Sequence, residues 1–191
     1  MKPSRLLLPL LFVVLGAGCA GLPMTRPDCV AIGPAGAVCP LPPAQLPALS
    51  ARHVVTVTHA GQSHTFLGRL HIGRDALRLA GASLFGTHLF TLTWDGHAVS
   101  MQPIQSKLRP KLMLVMLEMA LADPAALKPR LHGLVLKLSG TADDEVRALY
   151  EHGHLVARVE RRGASLASAH VVMSIPPAKL VLRLAPLDGA H

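Results

Sequence analysis

From Arg52 onward the chain alternates apolar and polar positions in short runs separated by turn residues, the period-two pattern of half-buried strands. His53 to His59, Gln62 to Ile72 and Ala76 to Ala82 predict three strands, with Ala60-Gly61 and Gly73-Arg74 as the turns between them. Thr87 to Trp94 predicts a fourth, with Phe90, Leu92 and Trp94 on one face and Thr87, Thr91 and Thr93 on the other. Asp95-Gly96 joins it to His97–Met101, a strong short-range hairpin signal. After residue 130 the alternation resumes in Leu131 to Ser139, Glu145 to Tyr150, His154 to Arg161, Ala169 to Ile175 and Lys179 to Leu184. His152-Gly153 and Pro176-Pro177 supply turns there. About ten strands with such short links pair antiparallel, because parallel neighbours need long crossovers. The expected fold is mainly β with one or two helices, an up-and-down curved antiparallel sheet or half-barrel.

One segment breaks the period. Arg109-Pro110 opens Lys111 to Ala122, and Asp123-Pro124 closes it, so a helix is predicted. After Lys111 its only polar residue is Glu118, and a helix apolar all round needs cover on more than one side. It is too short to span a bilayer, which takes ~20 residues. The cover is therefore protein, a ligand or a partner. Met113, Met116 and Met119 share roughly one face, and methionine suits irregular apolar partners. Two readings stand side by side: a plain core helix, or an apolar lid across the mouth of the sheet with a cavity beneath.

The N-terminus has its own grammar. Met1 to Arg5 is short and cationic, Leu6 to Leu15 is apolar, and Gly16-Ala17-Gly18 is small, which together read as a secretory signal peptide over residues 1–18. Leu15-Gly16-Ala17-Gly18-Cys19 resembles the lipobox of bacterial lipoproteins, with its Leu four places before the cysteine rather than three. That resemblance implies a lipidated Cys19 carrying acyl chains such as palmitate, hence an N-terminal membrane anchor. The competing reading is ordinary cleavage near Ala17 or Ala20. Ala20, where enteric lipoproteins kept at the inner membrane carry Asp, implies the outer membrane, facing the periplasm. Ala20 to Ser50 holds seven prolines and three glycines with only Arg26 and Asp28 charged, the composition of a semi-rigid tether. The expected division is 1–18 signal, 19–50 lipidated cysteine and tether, and 51–191 a β half-barrel domain. Cys29 and Cys39 remain as a pair in an oxidising compartment and are expected to form a disulfide, the alternative being two thiols.

Composition narrows the chemistry. The formal charge of +8 falls to about +6 once Lys2 and Arg5 leave with the signal, which suits either an anionic membrane surface or plain solubility. One Trp, one Tyr and no basic run interleaved with aromatics argue against nucleic acid. Eleven histidines raise the question of a metal, yet acids are few. His152 and His154 supply two ligands only, His53, His59, His64 and His71 spread over two strands, and Cys29 and Cys39 have no His at ligand spacing, so no metal or other cofactor is expected. Ser83 in Gly81-Ala82-Ser83-Leu84-Phe85-Gly86 is not at nucleophile-elbow spacing, and Asp143, Asp144 and Glu145 read as solvating a turn. No enzyme activity is expected, and the chain is expected to be a monomer.

Curved antiparallel strands interrupted after the fifth by an apolar helix, behind a lipobox, resemble LolA and LolB, the periplasmic carrier and outer-membrane receptor that pass lipoproteins along. The resemblance extends more closely to a family of small bacterial lipoproteins of unassigned function related to that fold. It rests on Leu89 to Gly96, the Pro110-led helix, and the pair Val171–Ile175 and Leu180–Leu184, over roughly residues 50 to 185. It implies an apolar cavity that takes an acyl-lipid or lipoprotein ligand. The receptor's protruding apolar loop residue has no unique match. The expected cavity residues are Phe90, Leu92, Trp94, Met113, Met116, Met119, Leu136 and Met173, with Leu134, Leu138, Val171 and Ile175 as further wall candidates. The same residues also suit an ordinary core. The alternative is a non-enzymatic envelope scaffold with a solid β core.

Overall fold

A computed structural model describes residues 28–102, 109–165 and 167–187. The signal segment, Cys19 and the start of the tether lie outside the described residues. Within them the predicted alternation becomes long strands: β3 (Leu49–His59), β4 (Gln62–Ile72), β5 (Leu77–Ala82), β6 (His88–Trp94) and β7 (Val99–Gln102). After the helices come β9 (Val135–Gly140), β10 (Asp144–Glu151), β11 (His154–Arg162), β12 (His170–Ile175) and β13 (Leu180–Pro186). These ten form one antiparallel sheet in the order β7-β6-β5-β4-β3-β13-β12-β11-β10-β9. Each half is a meander, and the halves join because β13 pairs along β3, with Leu182 opposite Val57 and Leu184 opposite Val55. The sheet is mainly β, curved and not closed into a barrel, as the alternation implied. The first and last strands in sequence lie in the middle, and β7 and β9 form the edges.

The turns follow the expected chemistry. Gly61, Gly96 and Gly153 each take a positive φ at a hairpin tip, where a Cβ would be strained. Leu131 to Ser139 is not one strand. Gly133 at φ 66° breaks it, so Leu131–His132 becomes a separate short strand, β8, while β9 starts at Val135.

A second, three-stranded sheet, β1-β2-β8, is built from β1 (Val30–Ala31), β2 (Ala37–Val38) and β8. Its presence corrects the expected extent of the tether. Ile32, Val38, Leu41 and Leu46 all belong to the hydrophobic core, so the stretch from Cys29 packs with the domain rather than standing it off. In this strap Val38, Cys39, Pro40 and Leu41 are buried in succession, and Pro43–Gln45 forms a single 3-10 turn. Cys29 and Cys39 are disulfide-bonded, as expected from their pairing.

The interrupting segment is helical. Helix α1 spans Pro110–Leu121 and α2 spans Pro124–Leu127. Asp123 caps α2 by accepting from the Ala125 N–H at 2.7 Å, whereas Arg109 makes no side-chain cap at the start of α1. Leu114 through Leu121 are all buried, while Leu112 and Met113 are only half-buried. Among the described residues no helix is long and apolar enough to cross a membrane.

Candidate functional site

The sequence left open whether α1 roofs a hollow or fills a core, and the two ends of the helix differ. Its N-terminal half overlies a void of about 30 Å³ bounded by Met113, Met116 and Leu117. The facing wall is Val55 and Val57 of β3, Phe66 of β4, Leu79 of β5, and Leu180, Leu182 and Leu184 of β13. Every lining side chain is apolar. A smaller void of about 20 Å³ lies on the other side of Leu117 and Leu184, beside His53, Leu70, Val171 and Met173. Leu117 and Leu184 border both spaces and separate them.

Of the expected cavity residues, Met113 and Met116 line the larger void and Met173, with Val171, lines the smaller one. Phe90, Leu92, Trp94 and Met119 are instead close-packed core, each under about a tenth exposed. Ile175 is also buried core. Leu134 and Leu136 pack on the core from its margin, and Leu138 is left exposed on β9 at the sheet edge. Strand alternation showed which way these side chains face. The larger void faces β3, β4, β5 and β13 in the middle of the sheet, and no side chain of β6, β7, β9 or β10 lines it.

Polar groups pin α1 at its other end. Arg147 on β10 is 7% exposed and donates to the carbonyl of Met119 at 3.1 Å and to that of Ala122. A guanidinium there satisfies helix-end carbonyls that otherwise lack partners and opposes the negative end of the helix dipole. Glu145 holds Arg147 in a two-point pair, Nε to Oε1 at 3.0 Å and Nη2 to Oε2 at 3.1 Å, and also meets Arg161 at 2.8 Å. Glu145, expected merely to solvate a turn, therefore fixes this clamp.

Glu118 is the second pin. It is fully buried, and its Oε2 accepts the Leu41 N–H at 3.0 Å. Trp94 Nε1 donates to the Leu41 carbonyl at 2.7 Å, so the strap is gripped on both sides of one residue. Glu118 Oε1 has no hydrogen-bond partner among the described residues. Burial pushes its pKa up to about 8, against the opposing pull of the Leu41 N–H and Arg130, so the carboxyl is neutral at pH 7. Glu151, also buried, accepts the Ala35 N–H at 2.6 Å and fastens the turn between β1 and β2. His53 is buried beside the smaller void; burial lowers its pKa, partly offset by a hydrogen bond with the Ala169 backbone, and its Nε2 has no partner among the described residues.

One apolar feature faces outward. The turn between β5 and β6 presents Leu84 at 58% and Phe85 at 98% exposure. Ser83, rejected above as a nucleophile, folds this turn by accepting the Thr87 N–H through its hydroxyl at 3.1 Å. The register puts the tip at the same end of the sheet as the larger void, since Leu67 lies opposite Ala82 and Val55 opposite Phe66. Nothing local to Ser83-Leu84-Phe85-Gly86 marks Phe85 as exposed, because apolar residues are read as core by default.

A family model described as Protein of unknown function (DUF3261) matches residues 50–188. No curated protein matches the chain.

Proposed function

We propose, on the premise that the chain belongs to the DUF3261 family of proteins of unknown function, that its domain takes up an acyl chain of a lipid or lipoprotein beneath the N-terminal half of α1. The observation that carries this reading is the wholly apolar space between Met113, Met116, Leu117 and the middle of the sheet. An acyl ligand needs apolar walls free of unpaired polar groups. At about 30 Å³ the space is a seed rather than a finished pocket, since ~150 Å³ is needed to hold even benzene. Binding therefore requires the helix to move. Lifting all of α1 would expose Leu114 to Leu121 at roughly 1.5–3 kcal/mol for each large apolar side chain, which rivals the ~5–15 kcal/mol stability of a whole domain. Lifting only the N-terminal turns, with Arg147 and Glu118 holding the rest, exposes far less.

The uncapped start of α1 and the half-buried Leu112 and Met113 support that hinge. The exposed Leu84-Phe85 tip, at the same end, supports contact with a lipid surface. In this reading Cys19 carries the lipid that anchors the protein in the outer membrane, facing the periplasm, and the likeness to LolA and LolB extends to acyl-chain handling. No catalysis is invoked. A second reading, an envelope scaffold with a solid core, draws support from the small size of the same space.

Native mass spectrometry of the delipidated protein with added palmitate separates the two. One bound palmitate, lost in Val57→Phe while the fold is kept, fits the first reading. No bound acyl chain at saturating palmitate refutes it and leaves the scaffold.

A further inference from the structure

We infer that Cys29, Cys39 and His132, with the cysteine pair in its dithiol form, make a binding site for a zinc-like, thiolate-preferring divalent cation. The placement follows from strand register. Val30 lies opposite Val38, so one step outward sets Cys29 across from Cys39. Ala37 lies opposite His132, which puts the imidazole on the same face and diagonal to Cys39. Val38 and Leu131, on the alternate face, pack with the core. The two sulfurs and a ring nitrogen of His132 all lie within 4.8 Å of one another. The spacing of the two cysteines contains no histidine; only β8, arriving from far along the chain, brings one.

These three residue types are a zinc set with a fourth position open to water. Tetrahedral zinc, with Zn–S about 2.3 Å and Zn–N about 2.0 Å, separates its ligands by roughly 3.5–3.8 Å. Side-chain rotation reaches that spacing once the sulfur–sulfur bond is open. The strands do not depend on that bond alone. Ile32 donates to the Gly36 carbonyl at 3.0 Å, Cys39 donates to the Arg130 carbonyl at 3.0 Å, and Leu41 is held by Glu118 and Trp94. The ligands thus stay gathered after reduction, so little ordering is left for the cation to impose.

The redox step balances as thiol–disulfide exchange. A dithiol reductant opens Cys29–Cys39, is itself oxidised to a disulfide, and leaves two protein thiols. The cation then displaces two thiol protons to solvent. The disulfide form has no thiolate to offer, so oxidation closes the site.

The test uses the full chain with Cys19→Ala, leaving two thiols. The protein is reduced with a dithiol, freed of reductant under anaerobic conditions, and titrated with Zn2+ against a chromophoric chelator, with circular dichroism to follow the sheet. One equivalent of Zn2+ is expected in the reduced protein and none in the oxidised one, and bound zinc slows alkylation of both cysteines. Loss of even an outer-shell partner typically costs about 10–100-fold in metal affinity, so His132→Ala, which removes a direct ligand, is expected to weaken binding at least tenfold. His152→Ala, at an exposed hairpin tip, leaves it unchanged. A reduced protein that takes up no Zn2+, that loses its sheet on reduction, or that binds as tightly in His132→Ala overturns the inference.

Discussion

Glu118→Gln isolates the energetic effect of the one acidic residue in α1. The amide keeps an acceptor for the Leu41 N–H but removes the titration. In the wild type the carboxyl stays protonated when folded up to about pH 8, whereas the unfolded chain ionises near 4.5. Between those values the native state holds one more proton than the unfolded state, so stability falls as pH rises, by about 1.4 kcal/mol per pH unit. The contribution is fully present below the unfolded value and is lost as pH climbs toward the folded one. From about pH 5 to about pH 7.5 the wild type should lose about 3 kcal/mol that the glutamine variant keeps. With a urea slope of roughly 1–3 kcal/mol per molar, the gap between the two midpoints widens by about 1 M or more. Urea unfolding read by Trp94 fluorescence, at several pH values with the disulfide intact, measures this directly. His53 titrates in the opposite sense, but it is common to both proteins and drops out of the difference. A gap between wild type and variant that stays constant with pH would refute the reasoning, and would mean that Arg130 and the Leu41 N–H suffice to hold a buried carboxylate.

Other outcomes follow from the same contacts. Arg147→Ala leaves two buried helix-end carbonyls without their donor while Glu145 keeps Arg161, so a loss of about 1–3 kcal/mol is expected in chemical denaturation, and Arg147→Lys, lacking the planar fork, restores only part of it. Breaking the disulfide with Cys29→Ala and Cys39→Ala removes the constraint on a short loop and should cost about 3 kcal/mol, read as a lowered urea midpoint. Val57→Ile adds one methyl at the 30 Å³ void; at roughly 24 cal/mol per Å³ the gain is at most about 0.7 kcal/mol, with weaker palmitate binding in the mass-spectrometric assay. Gly81→Ala places a methyl against the Phe90 ring and disturbs its edge-on contact with Phe66, so a loss of about 1–3 kcal/mol is expected in thermal unfolding. Cys19→Ala should leave the protein in the soluble periplasmic fraction; finding it still pelleted with membranes would refute the anchor.

Most of the strands were legible in the chain because their signals are local. Alternation over a few residues states which side chains share a face, and a glycine at a tip states where the chain reverses. The proline-led run after Arg109 stated a helix with no polar face in the same way. The misreadings share a different cause. Residues 29–50 looked like a tether because proline content reports backbone stiffness and not what the intervening Val38, Leu41 and Leu46 touch. Glu145 looked like a turn-solvating charge because its role runs through Arg147, which reaches carbonyls at the far end of α1.

What the sequence determined by itself is the inventory: strands of known facing, one apolar helix, and a cysteine pair on a short loop. What only the tertiary structure decided is which of these meet: β13 beside β3, Leu41 between Glu118 and Trp94, His132 against the cysteines, and a dry space under one half of a helix. Facing is set by backbone geometry within a few residues. Pairing is set by the competition of distant surfaces for a single core, and no short stretch of chain contains it.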